Sequence, residues 1–193
     1  MRAGTTWLTD PRAQEAEAVR PALVVTSDAE ARTVLLGRAV GMALRAGDVV
    51  LLSGELGAGK TRMVQGMAEG VGAAVPARSP TFVLVNEYSG RIRLSHCDLY
   101  RVAGREEVEE LALEERLHDG ALAVEWPERG LSALPAGVLL VQIEVDPATE
   151  VRTLVLTPQG GQASRLLARA AAVFETLEAA GRLERRTIDS AGG

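Results

Sequence analysis

Residues Gly54-Glu55-Leu56-Gly57-Ala58-Gly59-Lys60-Thr61 satisfy G-x-x-x-x-G-K-[ST] at every fixed position and follow the apolar run Val49 to Leu52. No other stretch limits the fold as strongly, because the pattern works only where a buried strand feeds a loop and the loop feeds a helix. Glycines let such a loop curl until successive backbone N–H groups face inward at phosphate oxygens, and the helix adds its positive N-terminal end. In that chemistry Lys60 reaches the outer phosphates and the Thr61 hydroxyl ligates Mg²⁺. Of 21 basic residues, 20 are arginine and Lys60 is the only lysine. It stands where a compact ammonium on a flexible stem is not replaceable by a planar guanidinium. The dinucleotide fingerprint G-x-G-x-x-G fits poorly, since Lys60, Thr61 and Arg62 follow Gly59 with no third glycine.

The flanking sequence supplies the required context. Val49 to Ser53 is continuously apolar, as in a central parallel strand covered on both faces. Met63, Val64, Met67, Ala68 and Val71 recur at helical spacing, and Gly70 with Gly72 is read as the stop. Upstream, Leu23 to Thr26 suits a short strand. Ser27-Asp28-Ala29-Glu30 matches the S-x-x-E capping box of a helix ending near Ala46-Gly47.

Downstream, Ser79-Pro80-Thr81-Phe82 is a loop, and Val83 to Tyr88 with Arg91 to Asp98 reads as a hairpin through Ser89-Gly90. Two short acidic helices are expected over Glu106 to Leu111 and Glu114 to His118. Ala121 to Val124 is a small buried strand ending in Glu125, and Pro127 to Pro135 a loop. Val138 to Val145 and Val151 to Leu156 form a second hairpin at one end of the sheet. A C-terminal amphipathic helix follows Gly160-Gly161, with Ser190 to Gly193 frayed.

Composition narrows the function classes. With 193 residues and 47% apolar content the chain can bury a core without disulfides or structural metal. A formal charge of -5 argues against direct gripping of a nucleic-acid backbone along a basic face. The single Cys97 excludes an internal disulfide, and the two histidines lack metal-cluster spacing, so a reducing cytoplasm is expected. No run approaches the ~18 apolar residues of a membrane span, and Met1 to Asp10 lacks the regions of a signal peptide.

Acidic residues at the carboxyl ends of parallel strands are candidates for a metal shell. Glu125 is the strongest, ending a strand after four apolar residues. A solvated strand-end carboxylate is the plainer alternative. Asp98 ends the preceding strand and suits either a metal-associated water or a strand-end cap. His96 and Asp98 share a strand face while Cys97 points away, so a His-Cys metal pair is not expected. The Thr81 hydroxyl could sense a terminal phosphate as switch loops do, although Pro80 also makes the segment a rigid turn. His118 reads as a surface residue and Trp126 as packing.

Four segments in fixed order, Gly54 to Thr61, Ser79-Pro80-Thr81-Phe82, His96-Cys97-Asp98-Leu99-Tyr100-Arg101 and Glu125-Trp126-Pro127-Glu128, resemble the TsaE (YjeE) family over roughly Leu23 to Thr157. The resemblance implies a three-layer α/β fold of the P-loop NTPase kind, with a mixed, mainly parallel central sheet plus the C-terminal amphipathic helix. It divides the chain into an extension over 1–21, the ATPase domain over 22–158, and a helix and tail over 159–193. It implies an ATP- and Mg²⁺-dependent ATPase, weak alone, that joins the TsaD and TsaB proteins. Those proteins place threonylcarbamoyl on the adenosine beside the tRNA anticodon, so tRNA is met only through the complex, with no membrane involved. Gly54, Leu56, Gly57, Ala58, Gly59, Lys60, Thr61 and Arg62 would contact the nucleotide. Thr61, Glu125 and Asp98 would serve the metal, and Lys60, Asp98, Glu125 and Thr81 catalysis. A small-molecule kinase, with Arg91 and Arg93 drawn into a lid, and a nucleotide-gated binding module are the rival readings.

Overall fold

The computed structural model describes residues 23–80, 82–130 and 137–191, with side chains through Gly181. The expectations for the extension over 1–21, for Thr81 and for the end of the chain at Gly193 fall outside these residues.

The strands are β1 (Leu23–Ser27), β2 (Val49–Gly54), β3 (Val85–Ser89), β4 (Arg93–Asp98), β5 (Gly120–Glu125), β6 (Val138–Val145) and β7 (Arg152–Pro158). They form one sheet in the order β1-β7-β6-β2-β5-β4-β3. The four central strands, β6-β2-β5-β4, are mutually parallel, while β3 on one flank and β7 and β1 on the other pair antiparallel. The second hairpin therefore does more than extend an edge, because β6 runs directly beside β2.

Helices α1 (Glu30–Ala43), α2 (Lys60–Val71) and α4 (Gly161–Ala191) cover one sheet face, and the short α3 (Arg105–Glu110) with a 3-10 turn at Glu115–Leu117 covers the other. Residues of β2 alternate between the two cores. Val50 and Leu52 pack with Leu36, Met63, Leu166 and Phe174, whereas Val49 and Leu51 pack with Cys97, Val108 and Leu113. All four β2 positions are within 1% of complete burial, which is why this strand reads as an unbroken apolar run.

Two features of α1 and α2 were not read from the sequence. The capping box does not form: Ala29 takes the N-cap position, with no side-chain cap. The Ser27 hydroxyl donates instead to Ala29 O at 2.8 Å and meets Thr33 Oγ1 at 2.9 Å, while Glu30 pairs with Arg62 at 3.1 Å. Nor does Gly70 stop α2, which runs on to Val71 and closes on left-handed Gly72. Gly70 belongs to a helix contact. A Cβ on Gly66 would lie 2.0 Å from Val34 O, and one on Gly37 would lie 2.1 Å from Met63 O. The two backbones touch along Gly37, Gly41, Gly66 and Gly70, and this fixes the helix that carries Lys60 and Thr61 against the body of the protein.

The carboxyl end of α1 is capped from outside. Arg91 donates to Gly41 O, Met42 O and Leu44 O, and Arg169 of α4 donates to Ala43 O while pairing with Asp48. Cationic groups there satisfy the last carbonyls and complement the helix dipole. Helix α4 contributes Ala163, Leu166, Leu167, Ala170 and Phe174 to the same core as α1 and α2. Among the described residues no helix is long and apolar enough to cross a membrane.

Candidate functional site

The carboxyl ends of β2, β4 and β5 open on one cleft of about 570 Å³, within the size range of small-ligand sites. Leu56, Gly57, Gly59, Lys60, Thr61 and Arg62 line it from the loop and α2; Asp98, Glu125 and Trp126 line it from β4 and β5. Gly54 and Ala58 belong to the loop without lining the cleft. Gly54 begins the turn at φ 148, pressed against Ile143, and Ala58 is buried beneath it. Gly57 (φ 83) and Gly59 (φ 110) take left-handed conformations that an L side chain resists, which is the physical reason glycine stands at both.

Lys60 opens α2 with only 4% of its surface exposed. Its ammonium donates to Gly54 O at 2.7 Å and to Glu55 O at 2.8 Å, and lies 3.8 Å from the centre of the Trp126 ring. Burial lowers its pKa from the usual 10.5, and the charges of Glu125, Glu128 and Asp98 act in the opposite direction. The indole gets there because Trp126 adopts a left-handed conformation (φ 57) directly after β5, with its backbone N–H donating to Leu52 O. Trp126 does pack, as its sequence suggested, but it packs on the site, against Lys60 and the Tyr100 ring at 5.0 Å.

Asp98 and Glu125 are register partners on β4 and β5 and are 4% and 3% exposed. Thr61 Oγ1 donates to Glu125 Oε1 at 2.9 Å and Oε2 at 3.2 Å. Asp98 accepts from Ser79 Oγ at 2.8 Å and from Tyr100 N at 3.0 Å. Ser79, which precedes Pro80, is thus tied to the site. From the sequence Ser79 was read only as part of the loop Ser79-Pro80-Thr81-Phe82, with no role of its own at the site. The largest omission was His96, whose Nε2 donates to Glu125 Oε1 at 2.8 Å from a fully buried ring. Its signals were the alternation that put His96 and Asp98 on one face and its place at the head of the segment His96-Cys97-Asp98-Leu99-Tyr100-Arg101. Arg152 reaches the loop from β7, its Nε donating to Ala58 O at 3.1 Å.

The donor set suits a hard cation that brings further ligands with it. Thr61, Glu125 and Asp98 offer oxygen, while His96 is committed to Glu125. Among the described residues no group of three or more His, Cys, Asp and Glu could hold a metal ion unaided. Mg²⁺ is commonly bound in this way, through one or two carboxylates with phosphate and water completing the shell.

Glu30, Gln65 and Arg101 also line the cleft, whereas the two arginines considered for a lid lie elsewhere. Arg91 caps α1, and Arg93 pairs with Asp119, so neither lines the cleft. His118 is exposed.

The family model described as "Threonylcarbamoyl adenosine biosynthesis protein TsaE" matches residues 27–154. The chain belongs to the TsaE family. The matched span runs from the end of β1 into β7 and contains every cleft residue named above. The tRNA threonylcarbamoyladenosine biosynthesis protein TsaE of Streptomyces coelicolor is 41% identical over 132 residues, covering 65% of this chain and 89% of the relative. Its counterpart in Nostoc sp. is 48% identical over 103 residues, 50% of this chain and 63% of the relative. Among solved structures, Bacillus subtilis YdiB superposes with a TM-score of 0.59 at 28% identity, covering 86% of this chain and 99% of that one. The α/β architecture with its seven-stranded mixed sheet and C-terminal helix is thus that of a TsaE-family protein.

Proposed function

We propose that this protein serves tRNA threonylcarbamoyladenosine biosynthesis as a Mg²⁺-dependent ATPase, weak alone, that acts on the TsaD–TsaB complex and meets tRNA only through it. The observation that carries the reading is the convergence of Lys60, Thr61, Asp98 and Glu125 at one end of a cleft floored by the glycine loop. In this reading the loop amides and the positive end of α2 bind the phosphates. Lys60 exchanges its two loop carbonyls for phosphate oxygens. Thr61, steadied by Glu125, turns its lone pairs toward the metal, and Asp98 holds a metal-associated or attacking water. Bound Mg²⁺ would supply charge neutralisation and Lewis acidity at the phosphate oxygens. Thr81, two residues after Ser79 in the sequence, would be the switch. The acidic balance of -5 supports action through protein partners. A kinase lid finds no support in Arg91 and Arg93, which serve α1 and the sheet edge.

The test is phosphate release from ATP with and without TsaD and TsaB. Release that rises with the partners supports the reading. Phosphate recovered on an organic acceptor would establish the kinase alternative, and assembly that needs ATP but is indifferent to its hydrolysis would establish a binding module.

A further inference from the structure

We infer that His96 is a positioning residue for the metal end of the cleft: it holds the Glu125 carboxylate in the orientation that fixes the Thr61 hydroxyl. The inference rests on the Mg²⁺–nucleotide reading of the cleft and adds to it a residue outside the phosphate loop and the strand-end carboxylates.

His96 stands opposite Ala123 across the parallel β4–β5 pair, so Glu125, two residues on, is its diagonal neighbour on the same face. Asp98 already occupies the place directly opposite Glu125. The imidazole spans the diagonal and donates from Nε2 to Oε1 at 2.8 Å. Glu125 Oε1 is therefore shared by two donors, His96 behind it and Thr61 in front.

Orientation passes along this chain. A threonine hydroxyl has one proton and two lone pairs, and it rotates to suit its surroundings. Committing the proton to Glu125 leaves the lone pairs for the cleft. Glutamate has three side-chain torsions, so its carboxylate directs Thr61 only when something else holds it. His96 is the group that does so from within the protein.

Packing alone does not account for a histidine here. The ring is completely buried, and its Nδ1 finds no partner among the described residues. One ring nitrogen left unmet is a cost that leucine would avoid. A ring with its single proton on Nε2 leaves only a lone pair unpaired and spends the proton on Glu125. Partners that hold a metal-ligating group commonly change metal affinity or activity 10–100-fold when removed.

The experiment compares His96→Leu, His96→Gln and His96→Asn. The readout is the Mg²⁺ concentration at half-maximal binding of a non-hydrolysable ATP analogue, measured by calorimetry, with ligand-free thermal unfolding as a control. Glutamine can put an N–H near the Nε2 position, whereas asparagine reaches only as far as Nδ1. The expected result is a midpoint raised about 10–100-fold in the leucine and asparagine variants and largely restored in the glutamine variant. His96→Leu should add nothing further in a Glu125→Ala background. A ligand-free crystal structure of His96→Leu should show the Glu125 carboxylate turned off Thr61. If the leucine variant does not fold, the glutamine and asparagine pair decides: equal midpoints overturn the inference. It is also overturned if folded His96→Leu keeps the wild-type midpoint, or if its effect adds in full to that of Glu125→Ala. Absence of Mg²⁺-dependent binding in the wild type would be a different failure, that of the nucleotide reading itself.

Discussion

Asp98 and Glu125 sit directly opposite each other at the carboxyl ends of two parallel strands, both buried, and the Lys60 ammonium feels the charge of both. Two carboxylates so placed, one of them beside the Thr61 hydroxyl, suit a hard cation whose shell phosphate and water complete. Glu125→Ala should therefore weaken the Mg²⁺ dependence of nucleotide binding. It also strands the buried Nε2–H of His96, at a cost of about 1–3 kcal/mol. A Mg²⁺ titration and a denaturant series check the two effects, and an unchanged titration would reduce Glu125 to a strand-end acid.

Lys60→Arg should impair nucleotide binding nearly as much as removing the side chain. The space between Gly54 O, Glu55 O and Trp126 fits a point-like ammonium, and a guanidinium fork presents a different geometry. Binding by the arginine variant at wild-type affinity would contradict this.

Affinity should also depend on pH through Lys60. Its folded pKa is lowered by burial, so between that value and 10.5 the unfolded chain binds more protons and the Lys60 contribution to stability rises with pH. Phosphate binding needs the charged form, so affinity should fall across the same window, below the ordinary lysine range. Dissociation constants over a pH series check it, and an affinity that stays flat across that window would contradict it.

Gly66→Ala should destabilise the protein by about 1–3 kcal/mol or more, because α1 and α2 must move apart to admit the methyl group. Gly72→Ala has open space around its Cβ and only a left-handed conformation to strain, about 1–2 kcal/mol. Denaturant midpoints compare them, and a neutral Gly66→Ala would disprove the backbone contact.

Cys97 should resist thiol reagents in the native protein. Burial, followed by the charge of Asp98, raises its pKa from 9.0 to about 12, so the reactive thiolate is scarce at neutral pH. Labelling should become rapid only on addition of denaturant. Rapid labelling of the folded chain would show that the core beneath α3 opens.

What the sequence disclosed depended on how local its physics was. The glycine loop between β2 and α2 was legible because Gly57 and Gly59 need left-handed backbone and Lys60 is a unique side chain, all within eight residues. Glu125 was legible as an acid ending an apolar strand. The hairpin through Ser89-Gly90 was visible, although β3 begins only at Val85, after Leu84 turns to φ 62. Ser27 and Glu30 matched a capping pattern that lost to tertiary partners, Thr33 and Arg62. The four interlocking glycines, the diagonal from His96 to Glu125, and the reach of Arg152 to Ala58 all join residues distant in sequence. Each glycine pair recurs at i, i+4 within its own helix and His96 alternates with Asp98, but which partner each meets is set by helix packing and strand order, which are non-local.

The most direct measurement is calorimetric titration of the purified protein with ATP and Mg²⁺, repeated on Lys60→Ala. The expected result is a saturable heat at one nucleotide per chain, dependent on Mg²⁺ and lost in the variant. No saturable heat from the wild type, even with TsaD and TsaB supplied, or equal heat from Lys60→Ala, would contradict it.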